Sequence, residues 1–211
     1  MPTLNLSVTV AGLGGAITSN TPRSGDGGGV NDIALAAGAA GTLTSRTDDE
    51  TGSLTLATGH GITTAQVIDL YWSGGARYKI TVGTVSGDVV PIGANNSGSG
   101  SVLPAATTAV VAAPRVAFNC SIDGDELSLL AVQAYFAVST ETSAAHVSLL
   151  DSGAAEIDEI ALVANVPRTF DITGGDTNTF TGNPITNGIA SNGSSANVAT
   201  LKLLWVQDST P

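Results

Sequence analysis

The chain reads as all-β: a jelly-roll-like β-sandwich with an inserted small β-barrel module. Three observations predict this. Thr, Ser, Val and Gly are abundant while Lys, Glu and Arg are scarce, a composition that favours short strands and tight turns over surface helices. Apolar residues alternate with polar ones in short runs such as Leu54/Leu56, Ile68/Leu70/Trp72 and Tyr78/Ile80/Val82, the period of half-buried strands. Turn clusters of Ser, Gly, Asp and Asn return at short, even intervals towards the C-terminus, the spacing of a sandwich or jelly roll.

The densest set of runs lies between Ser53 and Pro91, with plausible strands on either side of it. The expected division is therefore a discontinuous sandwich from residues 1–40 and 115–211 and an inserted barrel from 41–114. The two crossings, Ala36–Gly41 and Ala112–Pro114, are the small-residue segments that insertion joints favour. A chain of 211 residues can bury a sizeable core. With aromatics at 4% that core must be built of Val, Leu, Ile and Ala.

In order, Leu4, Leu6, Val8 and Val10 alternate with polar residues and predict a strand. Gly12–Gly29 reads as a loop with a turn around Ala16–Ser19, and Val30–Leu35 as the next strand. Thr42–Arg46 is expected to pair with Gly52–Ala57 across the acidic turn Asp48-Asp49-Glu50. Gly74-Gly75 and Ser86-Gly87-Asp88 mark further hairpin turns. Asn95–Ser101 is a polar loop, and Leu103–Val111 is expected to close the barrel. Arg115–Ile122 predicts a strand, and Asp125 can cap a short helical turn over Glu126–Ala131. Ala134–Ser139, His146–Leu150, Ile157–Val163, Thr169–Thr173 and Val198–Val206 supply five more strands, with Thr173–Asn197 as a long loop.

Charge and cysteine content exclude several classes of function. Eighteen acids against seven bases give a net charge of -11 with no Lys/Arg cluster, so nucleic acid is not an expected partner. The acidity instead suits solubility or a basic surface on a protein partner. Cys120 is the single cysteine; beside Phe118 it reads as a buried structural thiol. No apolar run approaches the roughly 18 residues of a membrane span, and the start MPTLNLSVTV lacks the pattern of a signal peptide. No membrane partner is expected, and assembly is expected in a cytoplasm.

Candidate chemistry is sparse. His146, Ser148 and Asp151 are a triad's residue types, but His146 and Ser148 lie two apart on one strand, about 7 Å by strand rise and too far for a nucleophile and its base. They read as an exposed polar strand face. His60, between two glycines, reads as a ligand for loop backbone. The acidic triplet at 48–50 and Asp123-Gly124-Asp125 lack the ligand spacing of a calcium loop. No catalytic, cofactor-binding or metal-ligating residue is nominated, and no cofactor is expected. Paired carboxylates for a hydrolase are not identifiable.

The words Gly59-His60-Gly61-Ile62-Thr63-Thr64, followed by Gln66-Val67-Ile68-Asp69-Leu70-Tyr71, resemble a GHGLxxGDxV turn-and-strand motif of phage and bacterial structural proteins. In these it belongs to a small barrel of the Src-homology-3 type. The likeness covers about residues 42–113 and departs at Ala65, where the pattern usually has Gly, and at Gln66, where it often has Asp. The flanks resemble virion proteins of tailed phages, through AYFAVST, IALVANVPRTFDITGG and the closing ASNGSSANVATLKLLWVQDSTP. The resemblance implies a non-enzymatic virion component, a capsid decoration, cement or minor capsid protein bound to the head shell. Its partners would be the major capsid protein or other virion subunits, and it would be a homo-oligomer, a trimer being common among such proteins. Alternatives are a tail component (tube, fibre or adhesin) and a carbohydrate-binding module using Trp72, Tyr71 and Tyr78 as a stacking platform.

Overall fold

A computed structural model of the chain describes residues 3–11, 16–24, 27–119, 128–138, 144–150, 153–163, 168–171 and 187–208. Among the described residues there are strands and turns and no helix, as the composition predicts.

β1 (Thr3–Ala11) and β2 (Ala16–Ser24) pair as an antiparallel ribbon from Thr3↔Ser24 to Ala11↔Ala16. β3 (Gly27–Leu35) follows. The expected loop from Gly12 to Gly29 is thus largely strand: a two-strand register can recruit polar residues through backbone hydrogen bonds, which a side-chain pattern does not display.

The next strands are β4 (Ala39–Arg46), β5 (Gly52–Leu56), β6 (Val67–Trp72), β7 (Gly75–Thr81), β8 (Val89–Ile92), β9 (Ser99–Gly100) and β10 (Ala109–Pro114). They form one antiparallel sheet in the order β8-β5-β4-β10-β6-β7-β9. A bridge between Val82, just past β7, and Ile92 at the end of β8 brings the two sides of this sheet together and shows its curl. The concave side is the core. Leu43, Leu54, Ile68, Leu70, Ile80 and Val90 are fully buried there. Each such Leu or Ile contributes about 1.5–3 kcal/mol by leaving water. Alternation is strict on β5, where Leu54 and Leu56 are buried and Thr55 is exposed.

The hairpin turns follow local chemistry. Asp48 Oδ1 accepts the backbone N–H of Glu50 at 2.8 Å and of Thr51 at 2.7 Å, closing the β4–β5 turn, while Arg46 pairs with Asp49. The expected hairpin tip is solvent-exposed. Gly93 sits at φ +85° with Glu50 O 2.2 Å from where a Cβ would be, so only glycine fits. Ala65 has φ +65°. That left-handed backbone is one that glycine adopts more readily than alanine.

β11 (Val116–Asn119), β12 (Ser128–Val138), β13 (Ala144–Leu150), β14 (Glu156–Val163), β15 (Arg168–Asp171), β16 (Asn187–Asn192) and β17 (Ala199–Asp208) complete the described chain. They make two four-stranded antiparallel sheets, β11-β16-β13-β14 and β15-β12-β17-β3, in a sandwich-like arrangement. β3 pairs with β17 from Leu35↔Ala199 to Gly27↔Gln207, so a strand near residue 30 is completed by one near residue 200. β13 is buried from Ala145 to Leu150, as a strand covered on both faces must be.

Four further expectations are corrected. Ser128–Ala131, expected within a helical turn, belongs to β12, whose pairing with β17 gives its backbone another ladder; Glu126 and Leu127 lie outside the described residues, as do Cys120, Asp123-Gly124-Asp125 and Asp151. The long loop Thr173–Asn197 contains β16, which pairs on one side with β11 and on the other with β13. The strand expected from Leu103 starts at Ala109, and Ser99–Gly100 within the expected polar loop forms the short strand β9 against Tyr78 and Arg77.

Candidate functional site

The chemistry-bearing side chains converge where the convex face of the curled sheet meets the β11-β16-β13-β14 sheet. Local rules put them there. On β6, Ile68 and Leu70 point into the core, so Asp69 and Tyr71 point to the opposite face by strand alternation. Pairing of Ile68 with Ile80 and of Leu70 with Arg77 leaves Tyr78 and Lys79 both opposite Asp69, a β-bulge. Lys79 takes φ +60° at this bulge, and its N–H donates to Asp69 Oδ1 at 2.7 Å instead of to the ladder.

Across the interface, His146 on β13 is paired with Ser191 on β16 and Ala161 on β14, while Ser148 is paired with Glu159. His146, Ser148, Ser191 and Glu159 therefore share one face, turned to Asp69. Arg115, the residue between β10 and β11, carries the chain from one sheet to the other and folds its guanidinium into the same seam.

The contacts form a continuous chain. Tyr71 O–H donates to Ser191 Oγ at 2.6 Å, Ser191 O–H donates to Asp69 Oδ2 at 2.6 Å, and His146 Nδ1 lies 3.0 Å from the same oxygen. His146 Nε2 lies 2.6 Å from Glu159 Oε1. Lys79 Nζ bridges Glu156 at 2.7 Å and Glu159 at 3.3 Å. Arg115 donates from Nη2 to Ser148 Oγ at 2.5 Å and holds Nε 3.5 Å from Asp69 Oδ2. The ring of Tyr78 stacks on that of His146 at 3.9 Å and 9°.

Asp69 and His146 are both 0% exposed, which makes charge balance decisive. Asp69, Glu156 and Glu159 face Lys79 and Arg115 there, and His146 stands between two of the carboxylates with one ring nitrogen on Asp69 and the other on Glu159. Burial works to raise the Asp69 pKa, but the hydrogen bond and charge of His146, with Arg115 and Ser191, hold it below the ordinary 3.8. Burial also opposes ionisation of Glu156, and Lys79 with Ser148 outweighs it, again lowering the pKa. Tyr71 is pushed well above 10.0, first by burial and then by the Asp69 charge.

The expectation that His146 and Ser148 form an exposed polar face is overturned: both are buried, because their partners arrive from β6, β14 and the β10–β11 junction. Nor is the constellation a serine-hydrolase relay. There the histidine stands between the hydroxyl and the acid; here the acid stands between Ser191 and His146, and the far ring nitrogen meets Glu159. His60 does hold loop backbone, as its flanking glycines suggested: Ile62 N–H donates to Nδ1 at 2.9 Å, leaving Nε2–H to donate to Gly87 O at 3.2 Å.

No family model matches this chain, and no curated protein and no solved structure matches it either. The site is therefore read from its own geometry. Among the described residues no group of three or more His, Cys, Asp or Glu is arranged to hold a metal ion, and no helix is long and apolar enough to cross a membrane. The three aromatics do not form one flat platform: Tyr71 is buried edge-on to Tyr78 at 69°, and Tyr78 lies on His146. Trp72 packs half-buried against the core of the curled sheet.

Sequence reasoning missed Asp69, Arg115, Glu159 and Ser191 as members of the seam. One signal was present: Asp69 interrupts the apolar run Val67-Ile68-Asp69-Leu70-Tyr71-Trp72, and a carboxylate in a strand covered on both faces requires a partner.

Proposed function

We propose that this chain is a bacteriophage virion structural protein, a capsid decoration, cement or minor capsid subunit that binds the head shell through protein–protein contacts and performs no catalysis. The observation that carries the reading is the seam, in which Asp69, His146, Ser191, Tyr71, Glu159 and Lys79 contact one another and tie two sheets together. Such a network fixes the orientation of one β-layer on another, which suits a part whose work is its shape. The acidic balance and the likeness to tailed-phage virion proteins support the same reading.

The finer architecture belongs to this proposal. Residues 41–114 are an inserted barrel of the Src-homology-3 type within a jelly-roll-like sandwich made of 1–40 and 115–211. Its support is that the chain enters and leaves the curled sheet side by side, Ala39 opposite Ala112 and Thr42 opposite Ala109, while β3 and β11 pair with strands from the C-terminal part. The left-handed Ala65 at the motif's glycine position supports the same assignment.

The test is a binding experiment in which purified chain is mixed with phage heads that lack it and examined by negative-stain microscopy, with sedimentation to give the oligomeric state. Regularly repeating density on the shell is expected. Bare shells at saturating protein, or rings and tubes formed by the protein alone, overturn the head assignment.

A further inference from the structure

The curled sheet and the β11-β16-β13-β14 sheet are two bodies joined through the seam. The core of the curled sheet is complete without its neighbour. Its buried residues, from Leu43 to Ala112, all come from the curled sheet's own stretch of chain, and the Val82–Ile92 bridge closes it. Beside the seam the two bodies stand apart: a cleft of about 880 Å³ separates Tyr71 and Val111 on one wall from Ala161 and Leu162 on the other. Across that gap apolar contact is missing, so the polar seam carries the joining there.

The groups in the seam differ in what acid does to them. Around Asp69 on β6 stand Tyr71 on the same strand, Tyr78 and Lys79 on β7, Arg115 at the β10–β11 junction, His146 on β13, and Glu156 and Glu159 on β14. The register shift between Leu149 and Leu150 puts Glu156 on the same face as Glu159, with Asp158 on the other. Arg77, opposite Leu70, is turned to Glu50 instead. Asp69, Glu156 and Glu159 become neutral in acid, whereas Lys79 and Arg115 keep their charge.

Arg115 is the group most exposed to that asymmetry. Its side chain is 8% exposed, and its buried Nε has no hydrogen-bond partner among the described residues, so the Asp69 carboxylate at 3.5 Å is the counter-charge it faces. A guanidinium does not shed its proton, and once the carboxylate is neutral it is stabilised by reaching water. Arg115 is also the residue at which the chain passes from one sheet to the other, so wetting it means parting them. The sign agrees with the carboxylates. Burial favours the neutral forms of Asp69 and Glu156, but the contacts to His146 and Lys79 hold both below their ordinary values. The stability they supply is complete above about pH 5 and is lost as pH falls through the depressed folded values.

We propose that the seam is an acid-released latch: protonation of Asp69, Glu156 and Glu159 strands Lys79 and Arg115, and the β11-β16-β13-β14 sheet parts from the curled sheet while the curled sheet keeps its core. The inference is independent of the assembly reading. The experiment is NMR of the full chain at about pH 7 and about pH 3, with amide exchange expressed as protection factors so that the pH dependence of the chemistry cancels. Two reporters cross between the bodies: the nuclear Overhauser contact of the Tyr78 and His146 rings, stacked at 3.9 Å, and the Gly38 N–H, which donates to Ser194 O at 2.7 Å. Two lie inside the curled sheet: the N–H groups of Leu56 and Val82, bonded to Asp88 O and Gln66 O. In acid the ring contact should vanish and Gly38 should lose protection about a hundredfold or more, while Leu56 and Val82 change by less than about tenfold. Asp69→Asn should show the parted pattern already at pH 7, with Leu56 and Val82 still protected. A ring contact that survives at pH 3, or loss of Leu56 and Val82 protection together with that of Gly38 in either protein, overturns the proposal.

Discussion

Replacing Asp69 by Asn tests whether the buried seam holds the two sheets together. The substitution keeps the volume and leaves Oδ1 to accept the Lys79 N–H at 2.7 Å. It removes the charge that faces His146 at 3.0 Å and Arg115 at 3.5 Å, and it turns an amide donor towards the Ser191 hydroxyl. Because both Asp69 and His146 are 0% exposed, water does not replace the lost contacts. Removing one partner of a buried pair costs about 3–5 kcal/mol, against a total of about 5–15 kcal/mol for a domain. His146→Gln should cost less, about 2 kcal/mol, since it leaves Asp69 with Ser191, Lys79 N–H and Arg115. The double variant should fall short of the sum by about 2 kcal/mol, the coupling of residues in direct contact. Urea unfolding of the four proteins measures this. A cost below about 1 kcal/mol for Asp69→Asn, or a coupling within about 0.5 kcal/mol of zero, refutes the argument. The pH dependence checks it a second way. The folded pKa of Asp69 is depressed, so its contribution is complete above the unfolded value near 3.8 and is lost as pH falls through the folded value. Wild type should lose stability below about pH 4 more steeply than Asp69→Asn.

Tyr71→Phe should cost about 1 kcal/mol at neutral pH through the lost bond to Ser191. Because burial raises the folded pKa of Tyr71, its contribution is present below about pH 10 and lost as pH rises, so the variant should show a shallower alkaline decline, followed by tyrosinate absorbance during unfolding. Gly93→Ala should lower stability by about 3 kcal/mol, read as a fall in Tm of several degrees, because the new Cβ would meet the backbone oxygen of Glu50 in a left-handed conformation. An unchanged Tm would show that this turn can relax. Ala65→Gly should be neutral or stabilising by up to about 1 kcal/mol, since relief of the positive φ opposes the entropy of glycine; a loss greater than about 1 kcal/mol in the same melt would contradict it.

The all-β class and the hairpins from Thr42 to Val90 were legible because each depends on neighbours in the chain: alternation puts Leu54 and Leu56 on one face, and glycines meet the positive φ of the turn at 59–61. β16 was not legible. Asn187-Gly188-Ile189-Ala190-Ser191-Asn192 has the composition of a loop, and it becomes a strand because β11 and β13 offer hydrogen-bonding edges on either side of it. β2 and the start of β12 were missed for the same reason: strand pairing is a property of two segments, and the sequence shows one at a time.

The amino-acid sequence alone determined the strand-forming composition, the acidity, the turn chemistry and the burial of alternating Leu, Ile and Val, all of which are local. Only the tertiary structure decided the fate of the ionisable residues. Asp69 and His146 are 77 positions apart in the chain and 3.0 Å apart in space, and no periodicity reports such a meeting. Hydrophobic burial is non-directional and leaves its mark in patterns. A buried charge must instead have a particular partner, and the meeting of the two sheets supplies it.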